Sequence, residues 1–358
     1  MFCIKMRDLK GSASSSDFLY YPGDSKYCIY DSQLTQTIDE VGHLEFSVPV
    51  ENIRYSDIKP YSLVWVYRDD SIMWAGYVSQ IDKDMYNNLR VYCLEDYAMF
   101  NDYIYYAGAS TKFYDKSYAI SGIINTYNRD ADTVLTFTKG DVDTEATADN
   151  YDFILRKYDN LLSKLREFKS SDCFIRMEWP DEATRKINVL FPENLGASTQ
   201  TIEFGKNMLE YVESMDTSEL YNNVYYYGKV DTFEEPFEDV VTAEGSIALY
   251  GKHDGYFELD NVADALLLFR LASKYLDAHR NPKYIFEVTA LDLSDLGADI
   301  DHINLGNEIT VIAEQYGINE AYRISEIVTY LQQPERNTYT ISGTLARNKT
   351  LTQMMKGK

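Results

Sequence analysis

The sequence predicts an α+β protein rich in β-strand, with two similar small β-barrel domains and α/β insertions. Three observations carry this. Aromatic residues make up 14% of 358 residues and 32 of them are tyrosines, a bias toward pleated strands and broad contact surfaces rather than long helices. The first hundred residues break into short alternating runs bounded by Gly, Pro, Asp or Asn, the pattern of successive strands. Finally, IKPYSLVWVYRDDSIMWAGYVSQI, Ile58 to Ile81, returns as INLGNEITVIAEQYGINEAYRISEI, Ile303 to Ile327. In both copies turn residues lead to an alternating strand, Val64 and Val66 or Ile309 and Val311. A polar connection and a second strand follow, Val78-Ser79-Gln80-Ile81 or Ile324-Ser325-Glu326-Ile327, and then a third, Leu89 to Leu94 or Tyr339 to Ile341.

Taken in order, strands are expected at Phe2 to Met6, Tyr27 to Tyr30, His43 to Val48, Ser62 to Tyr67, Met73 to Ile81 and Leu89 to Leu94. Together they make a first barrel domain over residues 1–105. The period then changes. Lys116 to Tyr127 reads as a helix, and so does Asn150 to Lys169, where Ile154, Tyr158, Leu161, Leu165 and Phe168 recur at three- and four-residue steps. That stripe is too short for a coiled coil and reads as core-facing. Cys173 to Trp179 and Ile187 to Phe191 form a hairpin around Pro180-Asp181-Glu182, completing an α/β insertion domain over 106–212. Strands return at Thr201 to Gly205 and at Leu220 to Lys229, where Val224, Tyr226 and Gly228 share a face. After the acidic loop DTFEEPFED, a helix starts from Asn261 as N-cap, carries Val262, Leu266, Phe269 and Tyr275 on one side, and stops at Asn281-Pro282. Strand Tyr284 to Ala290 leads into the second copy. These make a second barrel domain over 213–345, with a helical insertion around 249–303, before a polar, basic tail at 346–358.

Charge narrows the partners. Lys plus Arg is 34 against 57 Asp plus Glu, a net charge of −23. Such a chain repels phosphate backbones and anionic membranes. Otherwise the charge describes a solvated surface. Cys3, Cys28, Cys93 and Cys173 are too scattered for a metal knuckle and read as free thiols of a reducing compartment. MFCIKMRDLKGSASSSDF has no apolar run to serve as a secretory signal, and no stretch is long and apolar enough to span a membrane.

Catalytic motifs are missing. His43, His253, His279 and His302 stand far apart, with no HExxH, GxSxG or glycine-rich phosphate loop. A nucleophile meeting a histidine through folding stays open. Asp141-Val142-Asp143-Thr144-Glu145 imitates a calcium loop, but Ala146 stands where the turn needs Gly. Asp292, Asp295, Asp299, Asp301 and His302 cluster in LDLSDLGADIDHI, a spacing that suits Ser and Asp side chains capping their own backbone better than a metal. Tyr103, Tyr105, Tyr106 and Tyr225 to Tyr227 suit packing and protein interfaces better than stacking on sugars or bases. No catalytic, cofactor-binding or metal residue is therefore assigned.

GHLEFSVPVEN, SLVWVYRDDSIMWAGYVSQI, TIEFGKNMLEYVESMDTSELYNNVYYYGK and ALDLSDLGADIDHINLGNEITVI follow one another in an order that resembles the baseplate hub proteins of tailed phages. The chain is similar to the N-terminal structural part of the tail-associated lysin, or prophage endopeptidase tail protein, of long-tailed phages. The resemblance covers nearly the whole chain and implies a homotrimer in which two barrels per chain make a pseudo-sixfold ring. It implies docking on the hexameric ring of distal tail proteins, contact with the tape-measure protein, and further contact with receptor-binding or fibre proteins. A hub closes the tail tube and opens for DNA ejection, its acidic lumen letting DNA pass without specific binding. Its place is the tail tip of the virion, after assembly in the host bacterial cytoplasm. Family members often continue into a peptidase or glycosidase, whereas this chain ends soon after its second barrel, so the expectation is a non-enzymatic structural protein. The alternatives are a peptidoglycan endopeptidase with its site in the insertion around Asp141 to Phe191, and a carbohydrate-binding tail-tip module that uses its tyrosines.

Overall fold

The computed structural model describes residues 1–9, 17–38, 40–106, 110–131, 134–143, 153–168, 173–230, 237–262, 265–296, 300–316 and 318–343. The protein is mostly β with a few helices. The chain divides into two compact units, Met1–Glu210 with Val288–Tyr339, and Tyr211–Glu287 with the chain from Thr340.

The first unit is organised by one long sheet that curls into a half-barrel. Its strands run in the order Asp17–Tyr20, Phe2–Arg7, Leu63–Arg68, Ser71–Lys83, Leu89–Glu95, His43–Val48, Tyr30–Thr37 and Ile318–Tyr330. The order goes on through Thr338–Gly343, Lys283–Ala290 and Met208–Asp216, strands that begin or end in this unit. Glu308–Ala313 also pairs with Ile318–Tyr330, and Ala197–Glu203 lies parallel to it. Strand Leu63–Arg68 shows why the centre is buried. Leu63, Trp65 and Tyr67 pack with Phe100, Tyr127, Phe137 and Ile187, while Val64 and Val66 point the other way into a core with Ile4, Phe46, Val78 and Val91. Period-two alternation thus feeds two cores, one on each face.

The internal repeat is present at the level of single hydrogen bonds. Successive strands of the first copy have 6, 13 and 7 residues, and those of the second have 6, 13 and 6. Before the first strand, the Ser62 N–H donates to Lys59 O (3.0 Å) and the Asn307 N–H to Asn304 O (3.1 Å). The Lys59 N–H donates to Ser62 Oγ (3.2 Å), and the Asn304 N–H to Asn307 Oδ1 (3.3 Å). Tyr61 N–H reaches Val78 O at 2.7 Å, as Gly306 N–H reaches Ile324 O at 3.0 Å. Tyr61 and Gly306 share a left-handed backbone, with φ of 64° and 80°. Glycine takes that conformation freely, and a tyrosine needs outside support. Tyr61 has it, stacked on Tyr77 at 5.3 Å with its hydroxyl donating to Asp102 at 3.0 Å.

Both copies lie in the same open sheet, where the sequence suggested two separate small barrels. The join is antiparallel pairing of Tyr30–Thr37 with Ile318–Tyr330, from Gln33 opposite Tyr330 to Thr37 opposite Glu326, extended by the Ile38 N–H donating to Ser325 O at 2.9 Å.

The insertion packs against this sheet through a second sheet, Phe174–Glu178, Thr184–Leu190 and Thr136–Val142, and helix Lys116–Asp130, capped by Asp115. The anchor is a wholly buried ion pair. Arg185 Nε donates to Asp96 Oδ2 at 2.6 Å, Trp179 Nε1 adds a bond of 3.2 Å, and Arg185 Nη1 donates to Glu182 O at 2.6 Å. Burial pushes the Asp96 carboxyl upward, against the downward pull of Arg185 and Trp179.

Several expected elements differ. The helix read over Asn150 to Lys169 is a strand, Phe153–Leu155, paired with Thr111–Phe113, and a short helix, Leu161–Arg166; its outermost residues lie outside the described ones. Tyr158 takes φ 73° between them, Asp159 Oδ2 accepts from the Arg156 N–H at 2.7 Å, and Asn160 caps the Ser163 N–H at 3.0 Å. Local side-chain bonds here compete successfully with the helix. Residues 25–27 form a 3-10 turn capped by Asp24, so the strand expected at Tyr27 to Tyr30 starts only at Tyr30. In the second unit, Asn223–Val230 lies between Phe237–Thr242 and Asp254–Val262, with Val224, Tyr226 and Gly228 buried as the alternation predicts. Asn261 belongs to the last of these strands and does not cap a helix. The helix is Ala265–His279, and it buries Leu268, Ala272 and Leu276. Leu266 and Phe269, which the sequence places on one side with Val262 and Tyr275, are 58% and 45% exposed. A β-strand at Asp254–Val262 delays the helix.

Two outcomes are expected in urea melts. Gly306→Ala must place a Cβ at positive φ, 3.2 Å from Leu195 Cδ1, and loses about 1–2 kcal/mol. Asp96→Ala strands a buried guanidinium and costs roughly 3–5 kcal/mol, most of which the apolar pair Asp96→Leu/Arg185→Met recovers.

Candidate functional site

Within the first unit, a cavity of about 530 Å³ opens beside the Arg68 turn, lined among others by Phe2, Arg68, Asp69, Trp179, His302 and Tyr339. The carboxylate cluster read from the sequence stands at its edge, drawn together by one cation from the first repeat copy. Arg68 Nη2 donates to Asp292 Oδ2 at 2.8 Å and to Asp295 Oδ1 at 2.5 Å, and Arg68 Nε to Asp295 at 3.0 Å. Asp292 also accepts from Gln200 Nε2 (2.6 Å), from the N–H groups of Ser294 and Ile303 (3.0 Å each), and from Ser294 Oγ (2.5 Å). Burial pushes its carboxyl upward, but the bonds from Gln200, Ser294 and Ile303 with the Arg68 charge outweigh this and hold it at about 2.

The backbone-capping role expected of this cluster is therefore present at Asp292. Among the described residues no metal-binding group of His, Cys, Asp and Glu assembles. Asp301 contributes its backbone oxygen to Gln200, and Asp299 lies outside the described residues. Sequence reasoning missed Arg68, because 224 residues separate it from Asp292 and no spacing rule reaches that far. Asp143, read from the calcium-like stretch, accepts from the Phe191 N–H (2.7 Å) and Asn194 Nδ2 (2.9 Å). The rest of that stretch, from Thr144 on, lies outside the described residues.

Folding does bring a hydroxyl to a histidine. Ser294 Oγ is hydrogen-bonded to His302 Nδ1, and His302 Nε2 faces Asp69 at 4.0 Å. The arrangement differs from a working triad. The Ser294 hydroxyl also donates to the Asp292 carboxylate, and the histidine's far nitrogen is beyond hydrogen-bond reach of its acid. His43 stacks on Tyr92, and His253 and His279 bond to backbone oxygens of Tyr250 and Tyr275. The tyrosine groups divide. Tyr103 packs edge-on against Tyr127, Tyr105 bonds Thr111 and Tyr226 is buried, whereas Tyr106 and Tyr225 are exposed.

The folded pKa of Asp292 lies below the unfolded value of 3.8. Its stabilisation is present above about pH 4 and is lost as pH falls through about 2, a contribution of about 2 kcal/mol. Denaturant midpoints between pH 5 and 2 should show this loss in the wild type. Asp292→Asn should be less stable at pH 7 and lack that part of the slope.

Residues 197–353 match the family model described as the prophage endopeptidase tail. No match was found among curated proteins. The prophage tail protein gp18 from Listeria monocytogenes EGD-e is 16% identical, covers 99% of this chain and 98% of its own, and superposes with a TM-score of 0.60. The tail protein from Neisseria meningitidis MC58 gives 10% identity, coverages of 96% and 97%, and a TM-score of 0.65. The 43 kDa tail protein of prophage MuSo2 from Shewanella oneidensis gives 11%, 95% and 97%, and 0.62. At these identities the shared property is the fold.

Proposed function

We propose that this chain, similar to phage tail proteins in sequence over residues 197–353 and in fold over nearly its whole length, is the hub at the tip or baseplate of a phage tail. Three copies form a pseudo-sixfold ring, each contributing the repeat copy that lies within residues 1–105 and the one that lies within 213–345. The insertion over 106–212 stands outside the ring except for Ala197–Glu203 and Met208–Asp216, which belong to the long sheet. The ring docks on a hexamer of distal tail proteins, meets the tape-measure protein, closes the tube, and opens for DNA ejection at the tail tip of the virion. The observation that carries this reading is the duplicated turn and hairpin, matched bond for bond at Lys59 to Val78 and Asn304 to Ile324. A duplicated unit in a threefold assembly offers six similar surfaces to a sixfold ring. The net charge of −23 suits a lumen through which DNA slides without binding.

The role is structural and non-enzymatic. A peptidase reading draws on the family's description and on the Ser294–His302 contact, but that hydroxyl is engaged by Asp292. Light scattering of the purified protein should give the mass of three chains, and incubation with peptidoglycan should release no more product than a Ser294→Ala variant. A stable dimer or tetramer would count against the ring. Hydrolysis lost in Ser294→Ala would replace the structural reading with the enzymatic one.

A further inference from the structure

The long strand of the first copy lacks a neighbour that the long strand of the second copy has. In the second copy, the latter half of the long strand receives Tyr30–Thr37 on the side of Glu308–Ala313, beginning with the Ile38 N–H bonded to Ser325 O. In the first copy the equivalent residues are Ser79–Lys83. Their other side pairs with Leu89–Glu95, but on the side of Leu63–Arg68 strand pairing ends at Tyr77, and Tyr61 and Ser62 close only Val78. Among the described residues no strand takes the place that Tyr30–Thr37 fills in the second copy. Burial follows this difference. Ser79, Gln80, Asp82 and Lys83 are exposed and Ile81 half-buried, whereas Ser325, Glu326 and Val328 are half-buried and Ile327 and Thr329 buried.

The sheet order identifies the missing strand. Tyr30–Thr37 follows His43–Val48, which follows Leu89–Glu95, the third strand of the first copy. Counting the same way from Thr338–Gly343, the third strand of the second copy, the order passes Lys283–Ala290 and ends on Met208–Asp216. Met208–Asp216 is therefore the positional counterpart of Tyr30–Thr37. It carries Leu209, Val212 and Met215 at 57%, 48% and 54% exposure, an apolar load unusual for a strand facing only solvent.

We infer that Ser79–Lys83 of one copy of this chain pairs antiparallel with Met208–Asp216 of a second copy, reproducing between chains the junction that Tyr30–Thr37 and Ile318–Tyr330 make within one. Three such junctions alternate with three internal ones and join the sheets into a ring, covering the free edges at Ser79–Lys83 and Met208–Asp216. Asp82 and Lys83 stand where the second copy has Val328 and Thr329, charges that discourage indiscriminate pairing along this edge until the matching strand arrives.

This rests on the trimeric reading and specifies its interface. The test measures mass and hydrogen exchange on the wild-type chain and on Leu209→Lys/Met215→Lys. The wild type should be a trimer. The double variant should be a monomer in which peptides spanning Ser79–Lys83 exchange about tenfold faster, while strand Leu63–Arg68 keeps its protection and reports an intact fold. Should the variant not fold, wild-type trimer diluted to monomer supplies the same comparison. A variant that stays trimeric with unchanged exchange at Ser79–Lys83 overturns the strand pairing and leaves the trimer standing. Faster exchange at Met208–Asp216 alone assigns that strand another partner and also overturns it. A wild-type chain that never trimerises removes both.

Discussion

The pairing of Tyr30–Thr37 with Ile318–Tyr330 is the constraint on which the first unit depends. Without it the sheet would fall into two separate meanders, each with an exposed edge. With it, residues from the two ends of the chain share one ladder, and the intervening sequence must leave and return. Closing so long a loop costs only logarithmically in entropy, but it puts many non-local contacts into the native state, and such topologies fold slowly. Gln332 reinforces the junction, its side-chain amide donating to Ile29 O at 2.6 Å.

Two cations, the half-buried Arg68 and the buried Arg185, fix the turn at Asp292 and the insertion, and their energetics differ. Arg68 meets a carboxylate that is already saturated with donors, so Asp292 is fixed as an anion and the turn before the second copy is shaped around it. Arg185 and Asp96 are less fully served, since Asp96 Oδ1 and Arg185 Nη2 have no hydrogen-bond partner among the described residues. Removing two charges from water is compensated there by few contacts, so the pair gives geometry more than stability. It sets where strand Thr184–Leu190 lies against Trp65, whose ring sits 5.7 Å from the Arg185 guanidinium.

Much of the architecture was legible because its causes are local. Alternation in Leu63–Arg68 and in Glu308–Ala313, and the repeated isoleucine-turn-strand frame, give strands at the right places. Asp115 before helix Lys116–Asp130 and the turn at Asp181, whose carboxylate accepts from Ala183 and Thr184 N–H groups, are short-range chemistry as well. What stayed hidden was either non-local or a contest between two local preferences. Leu161, Leu165 and Phe168 do face a core, but the helix starts only at Leu161, after the left-handed Tyr158, and ends at Arg166, before Phe168. At Asn261, a good capping residue is overruled by parallel pairing of Asp254–Val262 with Asn223–Val230. The site was legible in part, because Asp292 caps its own turn as such spacings allow, whereas Arg68 and Gln200 reach it only through the folded sheet.

In the trimer proposed above, the duplicated turn gives each chain two equivalent units with which a threefold assembly can meet a sixfold partner. The most direct test is an electron cryo-microscopy map of the isolated oligomer. The expected map shows a ring of six similar hairpins, Leu63–Lys83 alternating with Glu308–Tyr330 at steps of about 60° around the axis. A ring in which only one of the two copies faces the axis, or an oligomer without threefold symmetry, would contradict it.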